Sequence, residues 1–476
     1  MATAIDIADE VRAGRRRARD VVEEHLDVVE ARDPELHACL LVLGDDARRA
    51  ADEVDAAVVD GSDPGPLAGV PLVVKDNMCL RGVATTCGSR ILEGWRPPYT
   101  ATALERAVAA GAVLLAKTNL DEFAMGSSTE NSAFGPTRNP HDPARVPGGS
   151  SGGSAAGVAA GYAPIGLGSE TGGSVRQPAS LCGVVGVKPT YGRVSRYGLV
   201  AFASSLDQIG PFATTVSDAA RLLDVVSGHD PRDSTTIPDG YPAVEPAVGD
   251  GVAGLRIGVI QELSDVGGVE PEVRAAVDAG AAALGAAGAT VVDVSVPSAV
   301  YGVSAYYLIA PAEASSNLAR YDGVRYGLRV DADDVTTMNA RTRAAGFGAE
   351  VKRRIMLGTY ALSAGYYDAY YGKAQRVRTL IIRDFERVYE ECDALLCPTS
   401  PTVAFPLGER TEDPIAMYLS DTCTIPTNLA GHAAISVPFG TGAHDLPVGL
   451  QVLAPALGEP AMFRVAKVLE DAAPAP

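Results

Sequence analysis

Two glycine-rich serine turns, at 148–154 and 172–174, contain the residue types that could carry out nucleophilic chemistry. Ser150 lies in the first turn and Ser174 in the second, while Lys75 ends an apolar run upstream of both. A serine hydroxyl is a weak nucleophile and needs a base to take its proton. A lysine amine that is desolvated at the end of a buried strand has a lowered pKa and can be neutral. The pattern therefore predicts a proton relay from Ser174 through Ser150 to Lys75.

The second turn is expected to lie between a strand and a helix. Residues 164–168 read as a buried strand, and residues 175–185 carry the apolar side chains of a short buried helix. Glycines in such a turn permit positive φ, and unpaired N–H groups at a helix start favour negative charge. An acyl-transfer intermediate carries that charge on its carbonyl oxygen, so this turn suits an oxyanion.

Each motif has an ordinary structural interpretation when it stands alone. A glycine–serine run is commonly a flexible loop, a strand-end lysine is commonly solvated, and Gly-Gly-Ser is commonly a turn. The six histidines lie outside both turns, although distance along the sequence leaves their approach open. A phosphate-binding P-loop is disfavoured, because neither turn ends in Gly-Lys-Ser or Gly-Lys-Thr. The order and spacing of the three motifs together favour catalysis.

Longer motifs surround these residues, at 69–77, 147–154, 168–174 and 186–192. In sequence they resemble the amidase signature family. The resemblance implies that Ser174 is the acylated nucleophile, that Ser150 bridges from a cis peptide bond, and that Lys75 is the general base. It also implies that the oxyanion donors are the backbone N–H groups of Thr171, Gly172, Gly173 and Ser174.

Further segments match one branch of that family, at 120–132, 313–318, 350–355, 365–371, 417–421 and 428–431. They resemble the A subunits of the glutamyl-tRNA(Gln)/aspartyl-tRNA(Asn) amidotransferases. The resemblance implies a glutamine amidohydrolase whose ammonia passes to a partner, which converts Glu-tRNA(Gln), Asp-tRNA(Asn) or both. It implies a heterotrimer with B and C subunits, in which B holds most of the tRNA. No cofactor is expected in this chain, which has no recognisable ATP motif, so ATP and magnesium are assigned to the partner.

Glutamine as substrate would present an α-carboxylate and an α-ammonium beside its side-chain amide. An arginine binds the carboxylate in a bidentate manner, and an aspartate suits the ammonium. By position in the family pattern, these roles fall to Arg354 and Asp421, with Tyr306 as a further polar contact. Alternatives remain open: Arg353 or Tyr307 could be the contacting neighbour, Arg354 could belong to a solvated helix face, and Asp421 could cap a helix.

Two rival functions are compatible with the same motifs. A stand-alone amidase of this family would act on another small amide and would lack the Arg/Asp pair. A catalytically dead scaffold would only bind partners, and the intact Lys75, Ser150 and Ser174 disfavour it.

Composition limits the setting in which the chain works. It has 476 residues, a formal net charge of −19 and seven scattered cysteines. The acidic total opposes direct, non-specific binding of nucleic acid. The cysteines show no zinc-site spacing, so no metal is expected, and they indicate a reduced, cytoplasmic environment. No apolar run is long enough to predict a membrane span.

The order of elements predicts an α/β protein. Residues 1–60 read as a helical segment packed on the core, and residues 61–476 as one large catalytic domain with a loop excursion near 228–250. A strand–helix–strand pattern over 255–294 favours a large mixed, mostly parallel sheet wrapped by helices. Other strands are predicted at 112–117, 394–397 and 448–453, and helices at 101–111, 151–161 and 459–469.

Overall fold

One mixed sheet forms the centre of the molecule in the computed structural model, which describes residues 2–264 and 268–474. The strands are β1 Cys39–Val42, β2 Pro71–Lys75, β3 Val113–Thr118, β4 Ile165–Glu170, β5 Val185–Lys188, β6 Gln208–Ala213, β7 Arg256–Ile260, β8 Thr290–Val294, β9 Ala394–Pro398, β10 Ala433–Thr441 and β11 Pro447–Ala454. Their order across the sheet is β1-β3-β2-β4-β6-β5-β10-β11-β9-β7-β8. Neighbouring positions therefore join strands that are far apart in sequence.

Helices surround this sheet. They are α1 Ala4–Arg12, α2 Ala18–Leu36, α3 Gly44–Val59, α4 Thr102–Ala109, α5 Gly152–Ala160, α6 Arg176–Cys182, α7 Val216–Val226, α8 Gln261–Ser264, α9 Pro271–Ala286, α10 Gly302–Asn317, α11 Val335–Gly346, α12 Ala349–Ala361, α13 Tyr371–Tyr389, α14 Pro414–Leu419, α15 Ile425–Ala430 and α16 Glu459–Ala472. None of the helices within the described ranges combines the length and the apolar character that a membrane crossing requires.

The predicted mixed sheet wrapped by helices is confirmed, but the expectation that it is mostly parallel is wrong. Among the described residues, the pairs β2–β3, β2–β4, β7–β8 and β7–β9 are parallel and the other six are antiparallel. Parallel neighbours need a crossover, which α4 supplies between β2 and β3 and α9 between β7 and β8. The centre of the sheet is built by antiparallel neighbours such as β10 and β11, which a short turn connects.

The sequence pattern predicted that the N-terminal segment is helical, but the segment also contains a strand. Its helices α1, α2 and α3 are present, and Val22, Leu26 and Val29 are buried on the face of α2 that packs on the core. Between α2 and α3 lies the edge strand β1, which pairs antiparallel with β3. This strand has only four residues, too few for a clear alternation of apolar and polar side chains.

Small residues bring α5 close to the centre of the sheet. A Cβ at Gly168 of β4 would lie 2.6 Å from the Phe212 ring and 2.9 Å from Ser151 Oγ. Only glycine therefore lets the helix that follows the first serine turn approach β4.

The predicted loop excursion at residues 228–250 is irregular in structure, since it contains only one short 3-10 helix, Glu245–Ala247.

Candidate active site

Lys75 is the last residue of β2, and its side chain is completely buried. Its Nζ lies 2.8 Å from Ser150 Oγ, 2.8 Å from Ser151 Oγ and 3.2 Å from the Ser169 carbonyl oxygen. Strand β2 pairs with β4, whose end carries the second serine turn. The sheet thus places the amine in contact with the first turn, as the sequence predicts, and with the strand that leads into the second turn.

Burial lowers the pKa of Lys75 to about 7, while the neighbouring Asp121 and Asp207 carboxylates act in the opposite direction. Desolvation disfavours the ammonium form because the buried amine loses its contact with water. The amine is therefore substantially neutral at neutral pH and can accept a proton from a hydroxyl that lies within hydrogen-bond distance.

The first serine turn has the backbone that the family resemblance implies. The peptide bond between Gly149 and Ser150 is cis. The Gly149 N–H donates to Gln177 Oε1 at 3.0 Å, and the Ser151 N–H donates to the Ser174 carbonyl at 3.2 Å. Within the described residues no hydrogen bond joins the hydroxyls of Ser150 and Ser174, so the two turns are connected through the backbone.

The second serine turn lies between β4 and α6, as predicted, and a buried ion pair supports it. Glu170 accepts hydrogen bonds from the N–H groups of Val175 and Arg176, both at 3.1 Å. Its carboxylate also pairs with the Arg176 guanidinium, and both side chains are fully buried. This ion pair fixes the start of α6 directly behind Ser174.

The backbone N–H groups of the second turn are available to a ligand. Those of Thr171, Gly172, Gly173 and Ser174 make no hydrogen bond to the protein within the described ranges. Thr424 Oγ1 donates to the Gly172 carbonyl at 2.7 Å, and a Cβ at Gly173 would lie 2.2 Å from the same Thr424 Oγ1. Gly173 also has a φ of +145°, so both space and backbone conformation require glycine there.

Arg354 is the inward-facing arginine of α12. Its residue exposure is 2%, whereas the Arg353 side chain is 43% exposed. Arg354 Nε donates to Glu350 Oε1 at 2.7 Å, and its guanidinium lies 5.1 Å from the Tyr307 ring centroid and 5.3 Å from that of Tyr418. Its two terminal nitrogens make no hydrogen bond in the described part of the chain. They can therefore bind a carboxylate, and a solvated helix face is excluded for Arg354.

Asp421 is buried, and one of its carboxylate oxygens accepts a 2.5 Å hydrogen bond from Ser127 Oγ. The other oxygen, Oδ1, has no hydrogen-bond partner among the described residues. Burial raises the pKa of this carboxyl to about 7. Helix α15 is preceded by Thr424 and has no side-chain cap, so Asp421 does not cap it. A free, buried carboxylate oxygen suits an incoming ammonium group.

Tyr306 and Tyr307 have different positions. A Cβ on Gly172 would lie 2.9 Å from Tyr306 Cζ and 3.0 Å from its Oη, so Tyr306 packs against the oxyanion turn. Tyr307 stacks on Tyr418 with 3.8 Å between ring centroids, and together these rings flank Arg354. Tyr306 is therefore the tyrosine that faces the second turn. We refer to Tyr306, Arg354 and Asp421 as the substrate end.

Some neighbours of the site were not singled out from the sequence. Ser127 and Tyr418 lie inside segments 120–132 and 417–421, whose family resemblance was the signal that could have identified them. Asp207 offered no such signal, since its role depends on the fold. It accepts a 2.7 Å hydrogen bond from Thr171 Oγ1 and also accepts the backbone N–H groups of Phe202 and Ala203.

The arrangement suits acyl transfer. A buried amine touches a serine hydroxyl, and a second serine ends a turn whose free N–H groups can stabilise a developing oxyanion. A guanidinium and an unpaired carboxylate oxygen lie at the other end of the site.

Comparison with known proteins places the chain in a family. The amidase family model matches residues 20–463. The glutamyl-tRNA(Gln) amidotransferase A subunit of Acidothermus cellulolyticus is 59% identical over 475 residues, which cover 99% of this chain and 94% of the relative. Its counterpart in a Synechococcus strain is 58% identical over 467 residues, covering 98% and 96%.

A solved structure agrees with these sequence relatives. The crystal structure of the glutamyl-tRNA(Gln) amidotransferase A subunit from Thermotoga maritima is similar with a TM-score of 0.80 and 45% identity, covering 96% of this chain and 92% of that one. The chain therefore belongs to the amidase signature family, in the branch that contains these A subunits.

Proposed function

We propose that this chain is the glutamine-hydrolysing A subunit of a tRNA-dependent amidotransferase. The observation that carries the proposal is the 2.8 Å contact between the buried Lys75 amine and Ser150, beside a second turn with free N–H groups. The identity of 59% to a glutamyl-tRNA(Gln) amidotransferase A subunit supports it further.

Hydrolysis proceeds in two balanced steps. The Ser174 oxygen attacks the carbon of the side-chain amide, and its proton passes through Ser150 to the neutral Lys75 amine. The N–H groups of the second turn stabilise the oxyanion, and the proton on Lys75 returns to the leaving nitrogen as the C–N bond breaks. Ammonia departs, water attacks the glutamyl ester by the same relay, and glutamate leaves a free Ser174.

The substrate end accounts for the choice of glutamine. Arg354 offers two terminal nitrogens to the α-carboxylate, and Asp421 offers its unpaired Oδ1 to the α-ammonium. Tyr306 lies between these groups and the oxyanion turn, against Gly172. A substrate that lacks either α-group would leave the terminal nitrogens of Arg354 or the Oδ1 atom of Asp421 buried without a hydrogen-bond partner, which costs free energy.

The ammonia serves a partner protein in this proposal. The relatives are named as the A subunit of a tRNA amidotransferase, which implies further subunits. We assign the partners as the B and C subunits, with tRNA, ATP and magnesium held mainly by B, in the cytoplasm. The net charge of −19 supports a tRNA site outside this chain. The amidated product is Gln-tRNA(Gln), Asn-tRNA(Asn) or both.

The test is an amide-selectivity assay of the chain co-purified with its B and C subunits. Glutamine should be hydrolysed with a kcat/KM about 100-fold above that of butyramide, which has the same reacting group without the α-substituents. Equal activity on both amides would instead indicate the stand-alone amidase. Glu-tRNA(Gln) and Asp-tRNA(Asn), each added with ATP and magnesium, then identify which aminoacyl group receives the ammonia.

A further inference from the structure

Asp121 is a fully buried carboxylate close to the serine turns, and the mechanism above gives it no role. It follows β3 and begins an irregular loop that reaches residue 131. Within this loop Phe123, Ala124 and Thr129 have φ values of +50°, +62° and +62°. Residues other than glycine rarely adopt that left-handed conformation, so the surrounding contacts must hold the loop in place.

The carboxylate of Asp121 provides those contacts. One oxygen accepts the Thr129 N–H at 2.8 Å, and the other accepts the Asn131 N–H at 3.0 Å. Burial raises the pKa of Asp121, and the two accepted N–H groups act in the opposite direction by stabilising its ionised form. The backbone N–H of Asp121 donates to the Ser150 carbonyl at 3.3 Å. A Cβ at Gly149 would lie 2.3 Å from Asp121 Oδ2, so the carboxylate packs directly on the first serine turn.

The loop held by Asp121 supports the first serine turn. Thr129 Oγ1 donates to the Gly148 carbonyl at 2.8 Å and accepts the Gly152 N–H at 3.1 Å. Thr129 therefore forms hydrogen bonds to the turn on both sides of Ser150.

The same loop also supports the substrate end. Ser127 Oγ donates to Asp421 at 2.5 Å, and its carbonyl accepts Gln177 Nε2 at 3.0 Å. Gln177 in turn accepts the Gly149 N–H. Two residues of one loop thus contact both ends of the site: Ser127 contacts the Asp421 carboxylate, and Thr129 contacts the first serine turn.

We propose that Asp121 is a positioning residue that aligns the Ser150 turn with the Asp421 carboxylate through the 126–131 loop. It couples the two ends of the site without touching substrate. The inference rests on the proposed glutamine hydrolysis, which supplies the substrate for the kinetic readouts.

The charge of Asp121 adds a readout that loop packing alone would not affect. The buried carboxylates of Asp121, Asp207 and Glu170 act electrostatically on Lys75, and each raises its pKa. The Cys87 thiol is also close, but burial raises its own pKa and keeps it uncharged at neutral pH. The negative charge of Asp121 favours the ammonium form and so raises the pKa of Lys75. Removing this charge should move the acidic limb of the rate profile to lower pH.

The experiment compares Asp121→Asn with Asp218→Asn in the assembled enzyme. Asp218 is an equally buried carboxylate on α7 that also accepts two backbone N–H groups, from Ala4 and Ile5, both at 3.0 Å. Both variants lose one N–H acceptor, and both should unfold at a lower temperature. Only Asp121→Asn should raise the KM for glutamine, lower kcat by about tenfold or more, and shift the acidic limb downward.

Equal loss of stability in the two variants, with wild-type KM and pH profile in Asp121→Asn, would overturn the proposal. Should Asp121→Asn fail to fold, two variants of the loop test its two contacts separately. Ser127→Ala removes the contact with Asp421, and Thr129→Val removes the contact with the first serine turn. The first should mainly raise KM and the second mainly lower kcat, and wild-type kinetics in both would contradict the coupling.

A wild-type enzyme without glutaminase activity would contradict the proposed function and not the role of Asp121. The same variants would then be compared by the rate at which a sulfonyl fluoride labels Ser174, which depends on the Lys75–Ser150 turn alone. Slower labelling and a lower pH midpoint in Asp121→Asn would support the positioning role. Labelling identical to wild type would overturn it.

Discussion

At the catalytic end, formed by Lys75 and the two serine turns, the backbone supplies most of the working groups. At the substrate end, long side chains from α10, α12 and the segment before α15 converge from distant parts of the sequence. The catalytic end lies where the adjacent strands β2 and β4 finish, which fixes its geometry through the sheet. In the proposed mechanism, the sheet therefore positions the groups that carry out the chemistry, and the helices packed beside it position the groups that select the substrate.

The two ends also use burial in opposite ways. Burial lowers the pKa of Lys75 to about 7 and raises the pKa of Asp421 to about 7. Lys75 must lose its charge to act as a base, and Asp421 must be charged to bind an ammonium. Both conditions are met as the pH rises through about 7. In the proposed mechanism, the same desolvation therefore predicts that both glutamine hydrolysis and glutamine binding weaken in acid.

The largest effect should come from breaking the catalytic end at Ser174. Ser174→Ala should lower kcat for glutamine by about 10⁴-fold or more, because it removes the atom that forms the acyl-enzyme. Glutamine binding, measured by calorimetry, should persist because the substrate end is unchanged. A variant that keeps more than about a tenth of wild-type kcat would contradict the assignment of the nucleophile.

A smaller and different effect should follow from breaking the substrate end at Arg354. Arg354→Ala should raise the KM for glutamine by about 100-fold, since a charge-assisted contact to the carboxylate contributes about 3 kcal/mol. Hydrolysis of butyramide, which has no carboxylate, should change little. Arg353→Ala is the matched control on the same helix, and it should leave KM within about twofold of wild type. A larger increase in KM for Arg353→Ala than for Arg354→Ala would assign the contact with the glutamine α-carboxylate to Arg353.

The smallest effect should separate the two adjacent tyrosines. Tyr306→Phe should raise the KM for glutamine about fivefold if its hydroxyl contacts the substrate, because one hydrogen bond contributes about 1 kcal/mol. Tyr307→Phe keeps the ring that stacks on Tyr418 and should leave KM near wild type. Equal KM values in both variants would remove Tyr306 from the substrate contacts.

Much of the fold could be predicted from local sequence patterns. The strand–helix–strand pattern expected over 255–294 corresponds to β7, α9 and β8, and the helix expected at 151–161 is α5 at Gly152–Ala160. Strand β1 was missed because four residues carry too little periodicity. The share of antiparallel pairs was missed because pairing between β10 and β5, which are remote in sequence, leaves no local signal.

The site divides in the same way. Residue types and spacing alone suggested the contact between Lys75 and Ser150, since both belong to motifs with recognisable chemistry. The family resemblance favoured Arg354 and left Arg353 open, and the structure separates them, because the phase of α12 relative to the core decides which side chain is buried. Asp207 was unpredictable, since its partners include backbone N–H groups of a loop that the sequence does not define. Asp121 lies in the recognisable segment 120–132, but its contacts with the Thr129 and Asn131 N–H groups depend on the folded loop.

The most direct test of the account is the pH dependence of Ser174 labelling by a sulfonyl fluoride, because this reaction needs the base and not the substrate end. A neutral, buried Lys75 predicts that labelling reaches half its maximal rate at a pH of about 7. The Lys75→Ala variant should show no such transition. A labelling rate that rises only near pH 10, the range of a solvated lysine, would contradict the relay.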